Sequence, residues 1–101
     1  MPTDREVEQY LIQVRRLIEQ QRVVVSGYAL DLAWRQLHYT QWDVLEEIQS
    51  LDSSSFYDQK PSSAEEGGMV WIFAPELWDG GFLWIRLCIR DSLVIISFHR
   101  G

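Results

Sequence analysis

Two strand-like segments near the end of the chain constrain its fold more than any other feature. They run from Phe82 to Ile89 and from Leu93 to His99, and the turn-forming pair Asp91-Ser92 lies between them. The first segment alternates in the way typical of a strand with one buried face, and the second is rich in residues that favour strands. Together they predict an antiparallel hairpin.

A two-residue turn at Asp91-Ser92 fixes which residues of this hairpin face each other. The predicted pairs are Arg90 with Leu93, Arg86 with Ser97, and Trp84 with His99. Because directly opposed residues share a face, one face would carry Trp84, Arg86, Ser97 and His99. The other face would pack on helices and would carry Leu83, Ile85, Leu87, Ile89, Val94, Ile96 and Phe98. A turn with an odd number of residues would exchange the two faces of one strand.

The start of the chain predicts an amphipathic helix. Thr3 and Glu6 have the spacing of a capping box. The apolar residues that follow recur every three or four positions, as on one face of a helix: Val7, Tyr10, Leu11, Val14, Leu17 and Ile18.

Two shorter helices are predicted next. Ser26 is expected to cap a helix that ends near Leu37, and Thr40 a helix that ends near Leu51. The β-branched segment from Val23 to Val25 is either a short strand or a buried linker.

The length of 101 residues fits one domain. Residues 3–51 form the predicted helical half, with two to three helices, and residues 56–100 form the predicted antiparallel sheet. Within the sheet half, the Pro, Ser, Glu and Gly of residues 58–68 predict a mobile loop. The expected fold is therefore α+β, with residues 1–101 as a single domain.

The cysteine content and hydropathy bear on the compartment. Cys88 is the only cysteine, which excludes a disulfide within the chain and a thiolate metal cluster. The start of the chain is polar, unlike a signal peptide, and no apolar run approaches the length of a membrane span. We therefore expect a cytoplasmic protein that does not enter a membrane.

The net charge of −6 is unevenly distributed. Residues 1–68 carry twelve acidic and six basic side chains, whereas residues 69–101 carry three of each. Phosphate affinity comes mainly from Lys and Arg, so this balance disfavours a general nucleic-acid binder. A local basic site on the sheet remains open.

Three segments, in order, resemble the MqsR (motility quorum-sensing regulator) toxins. They are Gln13-Val14-Arg15-Arg16-Leu17-Ile18, then Leu51-Asp52-Ser53-Ser54-Ser55-Phe56-Tyr57, then Gly81 together with Leu93-Val94-Ile95-Ile96-Ser97-Phe98-His99. The resemblance covers roughly residues 10–100. It implies a fold similar to that of bacterial ribonuclease toxins, an antitoxin as protein partner, and cleavage of messenger RNA with neither metal nor other cofactor.

The family's catalytic residue types are not retained at the corresponding positions. Asp58 stands where the family has a lysine after Phe-Tyr, and Val70 falls at about the place of a glutamine. Trp84 replaces a tyrosine, and His99 replaces a lysine after the last Ser-Phe. The resemblance therefore leaves open whether the chain is an enzyme.

His99 is the best chemical candidate on the predicted polar face. Imidazole transfers protons near neutral pH, and the expected neighbours Arg86 and Trp84 offer a phosphate ligand and a stacking surface. We take His99 and Arg86 as candidate catalytic residues. Candidates for binding RNA or a partner are Trp84, Ser97, Arg90, Arg100, Lys60 and Trp78. The alternatives are an edge histidine, arginines paired with acids, and a solvated lysine.

The aromatic residues have two possible uses. Trp71, Phe56 and Tyr57 are predicted to anchor the core, since aromatic rings bury a large area. The remaining tryptophans are left open between packing and a binding surface.

Two hypotheses follow. The chain is either a divergent toxin that cuts RNA with His99 and Arg86 or Arg100, or a family member that has lost catalysis and binds protein. In the second case the sheet face, or Trp34, Trp42 and Trp78, would meet the partner. A nucleic-acid mimic would need its acids on one continuous face, which the sequence does not show.

Overall fold

The computed structural model describes residues 1–62 and 68–101, which form helices packed on a five-stranded sheet. The elements in chain order are α1 (Asp4–Glu19), β1 (Val23–Val25), α2 (Gly27–Leu37), α3 (Gln41–Gln49), a 3-10 turn (Ser53–Ser55), β2 (Phe56–Pro61), β3 (Met69–Phe73), β4 (Leu83–Ile89) and β5 (Leu93–Arg100). In the described ranges no helix combines the length and the apolar character needed to cross a bilayer.

The helices begin where the sequence predicts their caps. Thr3 and Glu6 form the expected capping box, in which the Glu6 amide donates to Thr3 Oγ1 over 3.2 Å. Ser26 caps α2, and Thr40 caps α3 with Asp43 as its reciprocal partner. Each cap satisfies amides that the first helical turn leaves unpaired.

The strands lie in the order β1-β5-β4-β3-β2, and their pairing is not wholly antiparallel. β1 pairs with β5 in parallel, with Val23 opposite Leu93, so the prediction of an antiparallel sheet was wrong at this edge. Most of the chain separates the two strands, so no tight turn imposes an antiparallel direction. The uncertain segment Val23–Val25 is therefore a strand.

The β4–β5 hairpin differs from the prediction in two places that compensate each other. Ile89, not Arg90, pairs with Leu93, so the turn contains three residues. A β-bulge between Arg86 and Leu87 then leaves Ile96 without a partner. Beyond this bulge, the two strands pair in the register that the sequence predicted. Consequently the predicted pairs Trp84–His99 and Arg86–Ser97 are confirmed.

The core lies between the helices and one face of the sheet. Its sheet residues include Phe73, Ile85 and Phe98, all fully buried, against residues such as Leu11 and Val14 of α1. Between the turn and the bulge, however, β5 buries Leu93 and Ile95, where the prediction had Val94 and Ile96. Because the turn contains an odd number of residues, this part of β5 presents the opposite set of side chains to the core.

The segment predicted as a mobile loop is partly a strand. Residues 58–61 belong to β2 and pair with β3, and residues 63–67 lie outside the described part of the chain. Strand β2 is at the edge of the sheet, where charged residues and proline are tolerated. Its polar composition is therefore compatible with a strand.

Candidate functional site

The sheet face away from the core, here called the outer face, gathers polar and aromatic side chains from β2, β4 and β5, with the aliphatic Val70 and Ile72 of β3 between them. Cross-strand pairing runs from Asp58 through Ile72 and Arg86 to Ser97, and a second row pairs Trp84 with His99. Because paired residues share a face, the hairpin residues proposed from the sequence lie together here. Asp58, Val70, Trp84 and His99 also share this face.

Four rings lie on or beside the outer face, in two contacting pairs. Tyr57 meets Trp84 edge-on, with ring centroids 4.8 Å apart, and Trp84 is paired with His99. Tyr28, from the first turn of α2, meets the His99 ring at 6.4 Å. Aromatic rings of this kind offer stacking surfaces to unpaired bases.

Tyr57 was predicted to be a core anchor, and this prediction was wrong. Its side chain is 56% exposed, whereas its neighbour Phe56 packs on the core against Trp71 and Phe73. Phe56 pairs with Phe73 on the core side, so strand alternation turns the next residue, Tyr57, outward, where it meets Trp84; a β-bulge between Phe56 and Asp58 leaves Tyr57 unpaired. A bulge inserts one residue without a sequence signal in this segment.

The His99 imidazole is held by the backbone that follows it. Its Nδ1 lies 2.7 Å from the carbonyl oxygen of Arg100. A carbonyl only accepts, so in this contact Nδ1 carries the hydrogen, and Nε2 is the lone-pair nitrogen of the neutral ring. His99 is only partly buried, so the ring remains accessible for proton transfer.

Arg100 is fixed by three contacts and is therefore a positioning residue. Its amide donates to Gln36 Oε1 over 2.7 Å, and its guanidinium binds Asp79 Oδ2 at 2.6 Å. The third contact is the one from its carbonyl to His99. The Gly81 amide, followed by the Arg100 guanidinium, lowers the pKa of the Asp79 carboxyl below its usual value. The guanidinium that was a candidate for phosphate is thus engaged by Asp79.

Arg86 donates from Nε to Ser97 Oγ over 2.9 Å, and Ser97 is fully buried. This bond fixes the stem of Arg86, while its two terminal nitrogens have no ion-pair partner within residues 1–62 and 68–101. Arg86 and Trp84 line a groove of about 320 Å³ whose other walls are Lys60, Pro61, Val70 and Ile72. The two cations give the groove a local positive charge within an acidic protein.

Two of the predicted binding residues lie away from this groove. Arg90 is in the β4–β5 turn, six residues from Trp84, which corresponds to about 20 Å along an extended strand. Trp78 is 92% exposed in the connection between β3 and β4, beside Asp79. Asp58 adds a carboxylate to the outer face, where it accepts a hydrogen bond from the Gln59 amide.

Sequence reasoning did not identify Tyr28, Gln36 and Asp79 as parts of the site. Tyr28 and Gln36 belong to α2, which packs on β5, and Asp79 lies in a turn. These residues approach His99 and Arg100 only after the chain folds. No local spacing could have identified them.

A family model described as "Motility quorum-sensing regulator, toxin of MqsA" matches residues 8–100 of the chain. The match covers both helical and sheet halves, including every residue of the outer face named above. No curated protein matches the chain.

Proposed function

Because the chain belongs to the MqsR toxin family, we propose that it is the toxin of a toxin–antitoxin pair and that it cuts messenger RNA on its outer face. The observation that carries this proposal is the pairing of Trp84 with His99 beside Arg86. That pairing brings an imidazole, an indole and a guanidinium together on two adjacent strands, which supports the proposal.

The proposed reaction is an attack of the RNA on its own backbone. His99 Nε2 takes the proton of a 2′-hydroxyl, and the 2′-oxygen then forms a bond to the adjacent phosphorus. Arg86 stabilises the negative charge that develops on the phosphate oxygens. The bond from phosphorus to the 5′-oxygen breaks, which leaves a 2′,3′-cyclic phosphate.

The departing 5′-oxygen needs a proton, and Tyr57 is the residue that we assign to supply it. Tyr57 and His99 lie on opposite sides of Trp84. An in-line displacement needs its base and its acid on opposite sides of the phosphorus, so the proposal requires the scissile phosphate to lie over Trp84, between Tyr57 and His99. Solvent would afterwards restore the proton of Tyr57 and remove that of His99.

Binding of the RNA would depend on stacking more than on charge. Trp84 and Tyr28 offer rings to unpaired bases, and each stacked base contributes on the order of 1–3 kcal/mol. The cations near the groove are Lys60 and Arg86, so few phosphates would be neutralised. We therefore expect a shallow dependence of RNA affinity on salt.

The description of the family names its members as toxins of MqsA. We propose a protein partner of the antitoxin class for this chain as well. Such a partner would explain how a cell tolerates an enzyme that destroys messenger RNA.

The test is cleavage of a long messenger RNA by the purified protein. Wild type should cut it and leave 2′,3′-cyclic phosphate ends, whereas His99→Ala and Arg86→Ala should lose most of the rate. Arg90→Ala is the matched control, because it removes an arginine from the same strand region but outside the groove. Cleavage that survives both site substitutions would refute the proposal.

A second candidate function is protein binding without catalysis. It is favoured by the absence of all four family catalytic residue types and by exposed tryptophans outside the outer face. Trp34, Trp42 and Trp78 are 55%, 76% and 92% exposed. A folded wild type that leaves all RNA intact would support this alternative, and Trp→Ala substitutions would then be tested for loss of partner binding.

A further inference from the structure

A groove of about 630 Å³ lies in the helical layer, away from the outer face. The end of α1, the loop after it, the start of β1 and one side of α3 enclose it. Ile18, Val23 and Leu45 supply aliphatic surface to the groove.

Trp42 lines this groove and remains 76% exposed. It is the second residue of α3, one turn before Leu45, so both side chains lie on the same side of that helix. The Trp42 indole presents an electron-rich face that attracts cations.

The polar lining of the groove has one sign of charge. Glu19 and Glu46 supply carboxylates, both exposed, and the remaining polar residues are the neutral amides Gln21, Gln41 and Gln49. The groove lining contains neither lysine nor arginine. A cation therefore meets two carboxylates and an indole, whereas the residues that line the groove offer no cationic side chain to a phosphate.

We propose that this groove docks a basic segment of a partner protein, with an arginine or lysine between Trp42 and the two glutamates. An aliphatic side chain next to that cation would pack on Ile18, Val23 and Leu45. Charge complementarity selects this occupant, since the carboxylates disfavour RNA and acidic peptides. The groove does not depend on the activity of the outer face.

The test uses synthetic peptides as probes, because the partner is unidentified. A fluorescein-labelled decapeptide of alternating leucine and arginine is titrated with the full-length protein at low salt, and anisotropy is measured. The same peptide with glutamate in place of arginine is the control. Wild type should bind the basic peptide and not the acidic one.

Substitutions then locate the binding. Trp42→Ala should weaken binding of the basic peptide by about tenfold, because the cation–π contact and its apolar contact area are lost. Glu19→Gln combined with Glu46→Gln should weaken it by a similar factor of about ten. Trp34→Ala and Glu76→Gln, which change an exposed indole and an exposed acid elsewhere, should leave the affinity unchanged.

Three outcomes would overturn the proposal: no binding by wild type, equal binding of the acidic peptide, or equal effects of Trp42→Ala and Trp34→Ala. Circular dichroism of each variant confirms that it is folded. The RNA cleavage rate of Trp42→Ala should equal that of wild type, so failure at this groove is distinguishable from failure of the outer-face site.

Discussion

Trp84 and His99 face each other across β4 and β5 on the side of the sheet away from the core. Their pairing depends on two departures from a regular hairpin, a three-residue turn and the bulge at Ile96. Either departure alone would place one of the two side chains in the core. The outer-face site therefore exists because the two irregularities compensate.

Removal of the Tyr57 hydroxyl tests its assignment as the acid. Tyr57→Phe keeps the ring that contacts Trp84 and removes only the proton donor. We expect RNA cleavage to slow by about 10²-fold or more, with RNA affinity nearly unchanged. Single-turnover rates and a separate binding titration check this. A rate equal to that of wild type would remove Tyr57 from the mechanism.

Ser97→Ala tests how Arg86 is positioned. The substitution removes the Oγ atom that accepts from Arg86 Nε, at a cost of about 1 kcal/mol in the free energy of unfolding. A less constrained guanidinium should also weaken RNA binding and so raise KM. Urea unfolding and RNA titrations measure the two effects. Ser92→Ala, in the turn, is the control and should change neither.

Asp79 should make the end of β5 sensitive to acid. Its carboxyl has a pKa lowered from the usual 3.8, chiefly by the Gly81 amide and then by Arg100. A lowered folded-state pKa stabilises the fold above the unfolded-state value, and this stabilisation is lost as pH falls through the folded-state pKa. Wild type should therefore melt at a higher temperature than Asp79→Asn near neutral pH, and the difference should shrink as pH falls below the ordinary carboxyl pKa of 3.8. A difference that persists at acid pH would contradict this.

Tyr10 is predicted to be a site where one atom can be removed with a gain in stability. Its ring stacks on Trp71 with centroids 3.9 Å apart, but its buried hydroxyl has no hydrogen-bond partner among the described residues. Burial also raises the pKa of this phenol. Tyr10→Phe should raise the free energy of unfolding by about 1 kcal/mol, because an unsatisfied polar atom is removed.

Tyr10→Leu is the matched comparison for that change. It removes the hydroxyl and the stacked ring together, and it should lower the free energy of unfolding by about 1–3 kcal/mol. Urea denaturation of both variants measures the difference. If Tyr10→Phe is destabilising, the hydroxyl must have a partner, such as an ordered water.

The sequence predicts the helices well because their signals are local. Thr3, Ser26 and Thr40 cap helices in the structure, as expected from the residues that follow each of them. The parallel direction of β1 could not be predicted, since three valines contain no information about their distant partner. The burial of Ile95 instead of Ile96 was equally hidden, because residues 93–96 are aliphatic on both faces of β5.

The site was predictable only in part. The pairing of Trp84 with His99 follows from the hairpin, although the predicted turn length was wrong. The contact of Tyr57 with Trp84 forms between β2 and β4, and Arg100 is fixed by Gln36 and Asp79, so all of these contacts join residues that are distant in sequence. Contacts of this kind arise from packing between elements, and local sequence spacing does not predict them.

Chemical rescue of His99→Ala is the measurement that tests the central claim most directly. Messenger RNA is incubated with wild type, His99→Ala and Arg86→Ala, with and without added imidazole, and the ends of the products are identified. We predict that wild type cuts the RNA to 2′,3′-cyclic phosphate ends, and that imidazole restores part of the activity to His99→Ala but not to Arg86→Ala. Cleavage by His99→Ala at the wild-type rate, or no cleavage by folded wild type, would contradict a catalytic role for the outer face.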